Sequence, residues 1–355
     1  MDRINEQAVL AALSQVQDPE LHRDLVTLNM IKDVQVKDND ISLTINLTTP
    51  ACPLRSQIES DAMGALKKIP GVGTVKINMG SSVPDDGRNR GMMQLPVRNA
   101  IAVGAGKGGV GKSTVAVNLA VSLARSGARV GLLDADIYGP NIPTMMGLAG
   151  LPPGGGEKIP PAEAYGVKVI SIGFMVQPGQ AMIWRGPMLH SAIRQFLGDV
   201  DWGELDYLVI DLPPGTGDAQ LSLAQSIPLS GAVVVTLPQD VSVEDANRAV
   251  AMFRAMNVPI LGVVENMSYL TLPDGSRLEI FGKGGGERLA AATGVPFLGG
   301  IPMDADVRVG GDSGKPVVIS MPDSPSGKAL QAISQSIAAR VSIAAIQGVE
   351  TSSAG

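Results

Sequence analysis

Eleven consecutive residues, GAGKGGVGKST from Gly104 to Thr114, combine glycines, lysines and hydroxyls at a spacing that suits phosphate. Gly106 to Ser113 satisfies G-x-x-x-x-G-K-[ST]. In that pattern small residues let backbone N–H groups close around phosphate oxygens, and the helix that follows presents its positive end. Gly106, Gly108, Gly109 and Gly111 supply the permissive backbone, with Lys107 and Val110 between them. Lys112 is expected to place its charge at the β- and γ-phosphates of a nucleotide, Ser113 to ligate Mg²⁺, and Thr114 to border the cradle. The loop holds one lysine more than this chemistry requires. A side chain in the first half of such a loop tends to point away from its own nucleotide. Lys107 is therefore either a solvated loop lysine or a charge delivered to another subunit's phosphates, in the manner of an arginine finger.

Two acidic strand ends complement the loop. YLVIDLPPGTGD puts Asp211 at the end of an apolar run, where a carboxylate can hold Mg²⁺ through water. GLLDAD puts Asp134 and Asp136 at another such end, with the two side chains expected on opposite faces so that only one aims at the phosphates.

These residues need a framework. Short apolar runs (IAVGA, RVGLLDAD, VKVISIG, YLVIDLPPG, AVVVTLP, PILGVVENM and PFLGGIP) alternate with helical patterns, which implies a parallel sheet covered on both faces. The expected fold class is α/β, a doubly wound, mostly parallel P-loop NTPase domain over residues 99–345, with its ligand site at the carboxyl ends of the strands. Helices are expected over Lys112 to Ser126, Pro187 to Leu197, Ser242 to Met256, Gly286 to Thr293 and about Gly327 to Ala345. GKGGG at Gly282 to Gly286 reads as a flexible turn into a helix, and residues 346–355 as a disordered tail. Residues 1–80 read as helix, strand, strand, helix, strand, a small α+β domain, and residues 81–98 as a polar linker.

Composition narrows the function classes. A formal net charge of −6 disfavours a nucleic-acid surface. A single cysteine, Cys52, cannot pair within the chain, which suits a reducing, cytoplasmic setting. The N-terminal residues lack a basic region followed by an apolar run, so no signal peptide is read there. No uninterrupted apolar stretch reaches the roughly 18 residues of a membrane span.

GKGGVGKST, LLDADIYGPN, MIWRGPM, DYLVIDLPPGTGD, VVENMSY, IFGKGGGERLA and GVPFLGGIPMD together resemble the Mrp (ApbC-like) ATPases, relatives of MinD, ParA and the nitrogenase iron protein. DPEL and TTPACP in residues 1–80 are similar to the small domain of SufT-type iron–sulfur maturation factors. The resemblance implies an ATPase that dimerises around Mg-ATP and serves iron–sulfur client or scaffold proteins. It makes Lys107 the lysine that reaches the partner subunit's phosphates and Asp136 the switch I residue that orients the attacking water. Asp211 through Asp218 become switch II, and Asn266 the contact to adenine. An asparagine suits an adenine edge, and no N-K-x-D guanine motif follows it.

The same resemblance implies a C-P-x-C pair after Asn266 for a shared [4Fe–4S] cluster. Here the segment reads NMSYLTLPDGSRLEIFG, with Leu272 and Gly275 at the cysteine positions, so a conventional interface cluster is not expected. LPDGSRLEI reads instead as a β-hairpin. Cys52, just ahead of a helix, is the remaining candidate iron or cluster ligand, and a helix N-terminus would favour its thiolate; an inert buried thiol is the alternative. His22 and His190 are isolated and read as packed or solvated. Trp184 to Pro187 reads as interface packing. The competing functional reading is a MinD/ParA-like nucleotide switch that recruits or positions partners without a metal cargo. The C-terminal helix stretch ALQAISQSIAARVSIAAI carries one basic residue, which disfavours a membrane, and no basic patch suits DNA.

Overall fold

In the computed structural model, which describes residues 4–87, 96–136, 139–154, 156–175, 186–217, 220–221, 224–225 and 227–353, a small unit precedes a large one. The small unit runs through α1 (Glu6–Leu13), β1 (Gln17–Asp18), β2 (Arg23–Asp24), β3 (Ile31–Lys37), β4 (Asp40–Leu47), α2 (Arg55–Leu66) and β5 (Val75–Ser81). Asn5 caps α1 by accepting from the Ala8 N–H, one of the donors a helix start leaves unpaired. β4 alternates buried and half-buried residues. It pairs antiparallel with β3 and parallel with β5, and α2 supplies the crossover that a parallel pair needs. Ile58, Ala62 and Leu66, four residues apart on one face of α2, join Ile41, Leu43, Ile45 and Leu47 of β4 in the core. The expected element order is found. The β1–β2 hairpin is additional, and it forms where Asp18 accepts from the Glu20 and Leu21 N–H groups.

The large unit contains β6 (Val97–Gly104), α3 (Lys112–Arg125), β7 (Val130–Asp134), α4 (Ile142–Met145), β8 (Ala162–Ala164), β9 (Val167–Ser171), α5 (Gly186–Gly198), β10 (Leu205–Asp211), β11 (Gly231–Thr236) and α6 (Asp240–Ala255). It continues through β12 (Ile260–Glu265), β13 (Leu270–Thr271), β14 (Arg277–Leu278), α7 (Gly285–Thr293), β15 (Phe297–Gly300), α8 (Ala305–Asp312), α9 (Val317–Ser320) and α10 (Pro325–Ser353). Eight strands form one sheet in the order β15-β12-β11-β6-β10-β7-β9-β8, parallel except for the β8 edge. One face is covered by Val115, Leu119 and Leu123 of α3 with Ile333, Ile337 and Val341 of α10. The other is covered by Ile193 and Phe196 of α5 with Ala249, Val250 and Phe253 of α6. Burial on both faces is why these strands are nearly continuous in apolar residues. Successive strands build outward in opposite directions from β6, so the loop after β6 opens at the sheet's switch point.

The C-terminal helix differs from expectation. It continues to Ser353, eight residues past Ala345 and into the segment read as a disordered tail. Its stretch Pro325–Gln347 is also long and apolar enough to cross a membrane, and half of the best window is buried within the fold. That burial explains the composition: α10 lies along α3, and Ser334 and Ser342 bond to carbonyls of their own helix.

The two units touch. The Tyr207 hydroxyl, buried on β10, donates to Thr49 Oγ1 at 3.0 Å, and Ser342 Oγ donates to the Thr48 carbonyl at 3.1 Å. Ala51 lies in the core layer beneath α3 and α10. The linker is docked at its start and end: Val83 is buried, Arg98 donates to the Val83 carbonyl, and Asn99 to that of Pro84.

Next to Tyr207, Asp206 accepts from the Arg129 N–H at 2.9 Å and from the Arg129 guanidinium at 3.0 and 3.2 Å. Burial opposes ionisation of Asp206, but the hydrogen bonds and charge of Arg129, with Arg98 beyond, outweigh it and hold the carboxyl below the usual range. A depressed folded pKa gives stability that is present above the unfolded pKa and is lost as pH falls through the folded value. Asp206→Asn is expected to lower stability by about 1 kcal/mol at neutral pH and by almost nothing at about pH 2, because Arg129 is partly solvated. Urea melts at the two pH values check this.

Candidate nucleotide site

β6 delivers the chain into the loop of residues 105–111, and α3 leaves it at Lys112. Two glycines are required for distinct reasons. Gly111, the N-cap of α3, has φ 86°, and a Cβ there would overlap Asn266 Nδ2. At Gly106 a Cβ would overlap the Asp245 carbonyl, because the backbone of α6 rests directly on the loop. Gly109 also takes a left-handed turn, with φ 81°.

Beneath the loop the charged groups converge. Lys112 Nζ lies 2.6 Å from Asp211 Oδ1 and 3.4 Å from Asp136 Oδ2, and Ser113 Oγ donates to Asp211 Oδ2 at 2.5 Å. Lys112, Asp136 and Asp211 are all buried. Asp211 ends β10 in register with Asp134 of β7 and Val103 of β6, which sets the carboxylate directly under the phosphate loop. A buried ammonium between two carboxylates is a cation poised to transfer to another anion, and the hydroxyl beside Asp211 is a hard oxygen donor of the kind Mg²⁺ takes.

Asp134 and Asp136 part company as expected, though for a different reason. Residues two apart in a continuing strand share a face. β7 stops at Asp134, and the chain leaves the sheet, so that Asp136 turns to Lys112 while Asp134 accepts from Ser171 Oγ at 2.7 Å and from the Asp136 N–H at 3.2 Å. Burial, reinforced by the charge of Asp211, pushes Asp134 up to about 8. Asp134 is thus an internal prop of the site and Asp136 the member that lines the cavity.

A cavity of about 780 Å³ extends from the loop. Lys107, Gly108, Gly109, Gly111, Lys112, Ser113, Thr114 and Asp136 line the phosphate end; Asn266, Met267, Leu270, Pro302, Met303 and Val307 line an apolar slot beyond it. Asn266 is buried, and its Nδ2 donates to the Val110 carbonyl at 2.8 Å, so it is wedged between loop and slot. Lys107 is half-buried and has no ion-pair partner among the described residues.

Other expectations divide. LPDGSRLEI does form a hairpin: β13 pairs antiparallel with β14, Gly275 takes φ 83°, and Arg277 stacks on Tyr269 at 4.1 Å. GKGGG turns into a helix, and its last two glycines are pinned. Gly285 presses on the Pro238 carbonyl and the Gly286 N–H donates to Glu265 Oε2 at 2.8 Å, which fixes the start of α7. The Cys52 thiolate is not favoured. Burial pushes the thiol up, the Leu54 N–H offsets this only in part, and Glu20 and Asp18 raise it further. His22 sits in the β1–β2 turn with φ 52°. Trp184, Arg185 and Asp218, and the side chains of Gly186, Pro187 and His190, lie outside the described residues. Sequence reasoning passed over Glu265, Ser268 and Tyr207, whose only signals were a polar residue at a strand end or a lone tyrosine within one. Among the described residues no cluster of three or more acidic, His or Cys side chains suits a metal.

A phosphate loop, its lysine and hydroxyl, and two carboxylates at the carboxyl ends of a parallel sheet define a P-loop nucleotide-binding protein. Residues 96–338 match the family described as NUBPL iron-transfer P-loop NTPase, and residues 6–77 match a family described as iron-sulfur cluster assembly protein. An iron-sulfur cluster carrier protein of Synechocystis is 52% identical over 347 residues, covering 96% of this chain and 98% of the relative. One of Deinococcus radiodurans is 53% identical over 340 residues, covering 95% of each. The chain belongs to the iron–sulfur cluster carrier family of P-loop NTPases. Among solved structures, a nucleotide-binding protein of Archaeoglobus fulgidus in complex with ADP is 41% identical with a TM-score of 0.55, over 62% of this chain and 88% of that one. The cell division ATPase MinD of Pyrococcus furiosus shares the fold at 24% identity and a TM-score of 0.51, over 67% of this chain and 98% of that one.

Proposed function

We propose that the protein is a Mg²⁺-dependent ATPase that dimerises around nucleotide and carries iron–sulfur clusters to client or scaffold proteins in the cytoplasm. The observation that carries this reading is the buried constellation of Lys112, Ser113, Asp136 and Asp211 under the phosphate loop. When ATP enters, Lys112 exchanges Asp211 for the β- and γ-phosphate oxygens. Ser113 and Asp211 would hold Mg²⁺, which would neutralise charge on those oxygens. Asp136 orients the attacking water; the bond from water oxygen to the γ-phosphorus forms, the bridging bond to ADP breaks, and the proton leaves with inorganic phosphate. Asn266 and the apolar slot receive the adenine. Lys107 from the partner subunit stabilises the charge that develops. Neither nucleic acid nor membrane is required.

The cargo is the unusual part. One cysteine per chain cannot supply a C-P-x-C pair, and Leu272 and Gly275 stand in a closed hairpin. In a dimer only the two Cys52 thiols are available, so a cluster or iron held labilely there is the cargo-binding reading. Anaerobic reconstitution of wild type and Cys52→Ser is expected to give iron and sulfide on wild type only, with equal ATP turnover in both. Equal iron content in the two would remove Cys52 from the mechanism. The cysteine count also favours the second reading, a nucleotide switch without metal cargo; it gains if wild type takes up no iron yet hydrolyses ATP.

A further inference from the structure

Behind the apolar slot lies a buried carboxylate that the reaction itself does not use. Glu265 ends β12, one residue before Asn266. Its Oε1 accepts from Ser268 Oγ at 2.8 Å, and its Oε2 accepts from the Gly286 N–H, in the first turn of α7, at 2.8 Å. Its main-chain carbonyl accepts from the Ile301 N–H at 2.8 Å, and Ser268 N–H donates to the Ile301 carbonyl at 2.9 Å. Asn266 N–H is held by the Thr236 carbonyl at 2.8 Å. The space is closed: a Cβ on Gly286 would lie 2.9 Å from that of Glu265, and one on Gly300 would overlap Ser268 Oγ.

A carboxylate this buried is costly unless donors satisfy it, and among the described residues no lysine or arginine pairs with it. What holds it is the Ser268 hydroxyl and the N-terminus of α7. The Glu265–Ile301 bond and its return from Ser268, both between main chains, hold the segment of Asn266 and Met267 alongside that of Pro302 and Met303, and both segments line the cavity.

We infer that Glu265 is a positioning residue for base recognition: its carboxylate, clamped between Ser268 and α7, sets the course of the turn that follows β12 and with it the aim of Asn266. The inference rests on the reading of Asn266 as the base contact. Lost clamping then weakens the grip on the base more than the grip on the phosphates, because the loop keeps its support from α3 and α6 and gives up only part of the Asn266–Val110 bond.

The test compares binding of Mg-ATP with binding of Mg-tripolyphosphate, which has no base. Glu265→Ala is expected to weaken ATP roughly 10-fold and tripolyphosphate by less than about 2-fold. Glu265→Gln, which keeps an acceptor for Gly286 and offers an N–H₂ to Ser268, is expected to recover ATP affinity to within about 3-fold of wild type. Equal losses for both ligands, or unchanged ATP affinity in folded Glu265→Ala, would overturn the inference. Asn266→Ala, measured alongside, separates the two levels. If it binds ATP like wild type, the base-contact reading fails and takes the inference with it; if it loses ATP while Glu265→Ala does not, only the inference fails. Should Glu265→Ala not fold, Ser268→Ala carries the test. It is expected to weaken ATP about 3-fold with tripolyphosphate unchanged, and wild-type affinity for ATP would refute the inference.

Discussion

Lys107→Ala is expected to bind Mg-ATP within a few-fold of wild type and to turn it over roughly 10³-fold more slowly, the low end of what a charge supplied in trans contributes to phosphoryl transfer. The subunit's own phosphates are already served by Lys112, which lies 2.6 Å from Asp211 under the loop, whereas Lys107 has no ion-pair partner among the described residues. ATP-driven dimerisation, read by sedimentation velocity, is expected to fall with turnover. A mixing experiment decides whether the lysine acts across the interface. Lys107→Ala subunits keep Asp136, and Asp136→Asn subunits keep Lys107, so a mixed dimer holds one complete site if Lys107 acts in trans. Combining the two inactive variants is then expected to restore a substantial part of the activity, and a lysine acting within its own subunit would give no rescue.

Gly106→Ala is expected to abolish nucleotide binding, with ATP affinity down at least about 100-fold, while Gly108→Ala is expected to stay within about 3-fold. Phosphate-loop glycines are usually treated as one class, yet here their surroundings differ. A methyl on Gly106 meets the backbone carbonyl of Asp245, which cannot rotate aside as a side chain could. To admit it, α6 or the loop must move, and the loop's N–H groups lose their convergence. At Gly108 the nearest atoms to an added Cβ are those of Pro214 at 3.9 Å, ordinary contact distance. Calorimetric titration of both variants against ATP measures the contrast. Equal loss in the two would mean that backbone freedom, rather than the packing of α6, is what the loop needs at Gly106.

The parts of the site that could be read from the sequence are those in which chemistry is written locally. The loop from Gly106 to Ser113 specifies turn, charge and hydroxyl within eight residues, and an apolar run ending in Asp fixes the depth of Asp211 because the strand is buried on both faces. The sheet was legible for the same reason, and so was the hairpin at Leu272 to Ser276, where Pro-Asp-Gly sets the turn. What escaped depends on where elements stop or meet. The divergence of Asp134 and Asp136 follows from the end of β7, which no residue type marks. Between the two readings of Cys52 the sequence could not choose, because the helix start is visible in it, whereas the burial and the acidic neighbours Asp18 and Glu20 come from folding. What pins Gly285 and Gly286 is the Pro238 carbonyl and the Glu265 carboxylate, brought from the ends of two other strands.

The bond between Tyr207 and Thr49 bears on modularity. Composition draws the seam between the domains at residues 81–98, but the mechanical seam runs through Thr48, Thr49 and Ala51, three residues that precede Cys52 and are seated on the larger domain. Tyr207 stands four residues before Asp211 on the same strand, so the turn leading to the lone thiol and the carboxylate under the phosphate loop hang from one rod. A domain exchanged or excised at the linker would leave the Tyr207 hydroxyl and the Ala51 niche without their occupants. Any graft of the small domain between relatives must therefore carry both sides of that contact together.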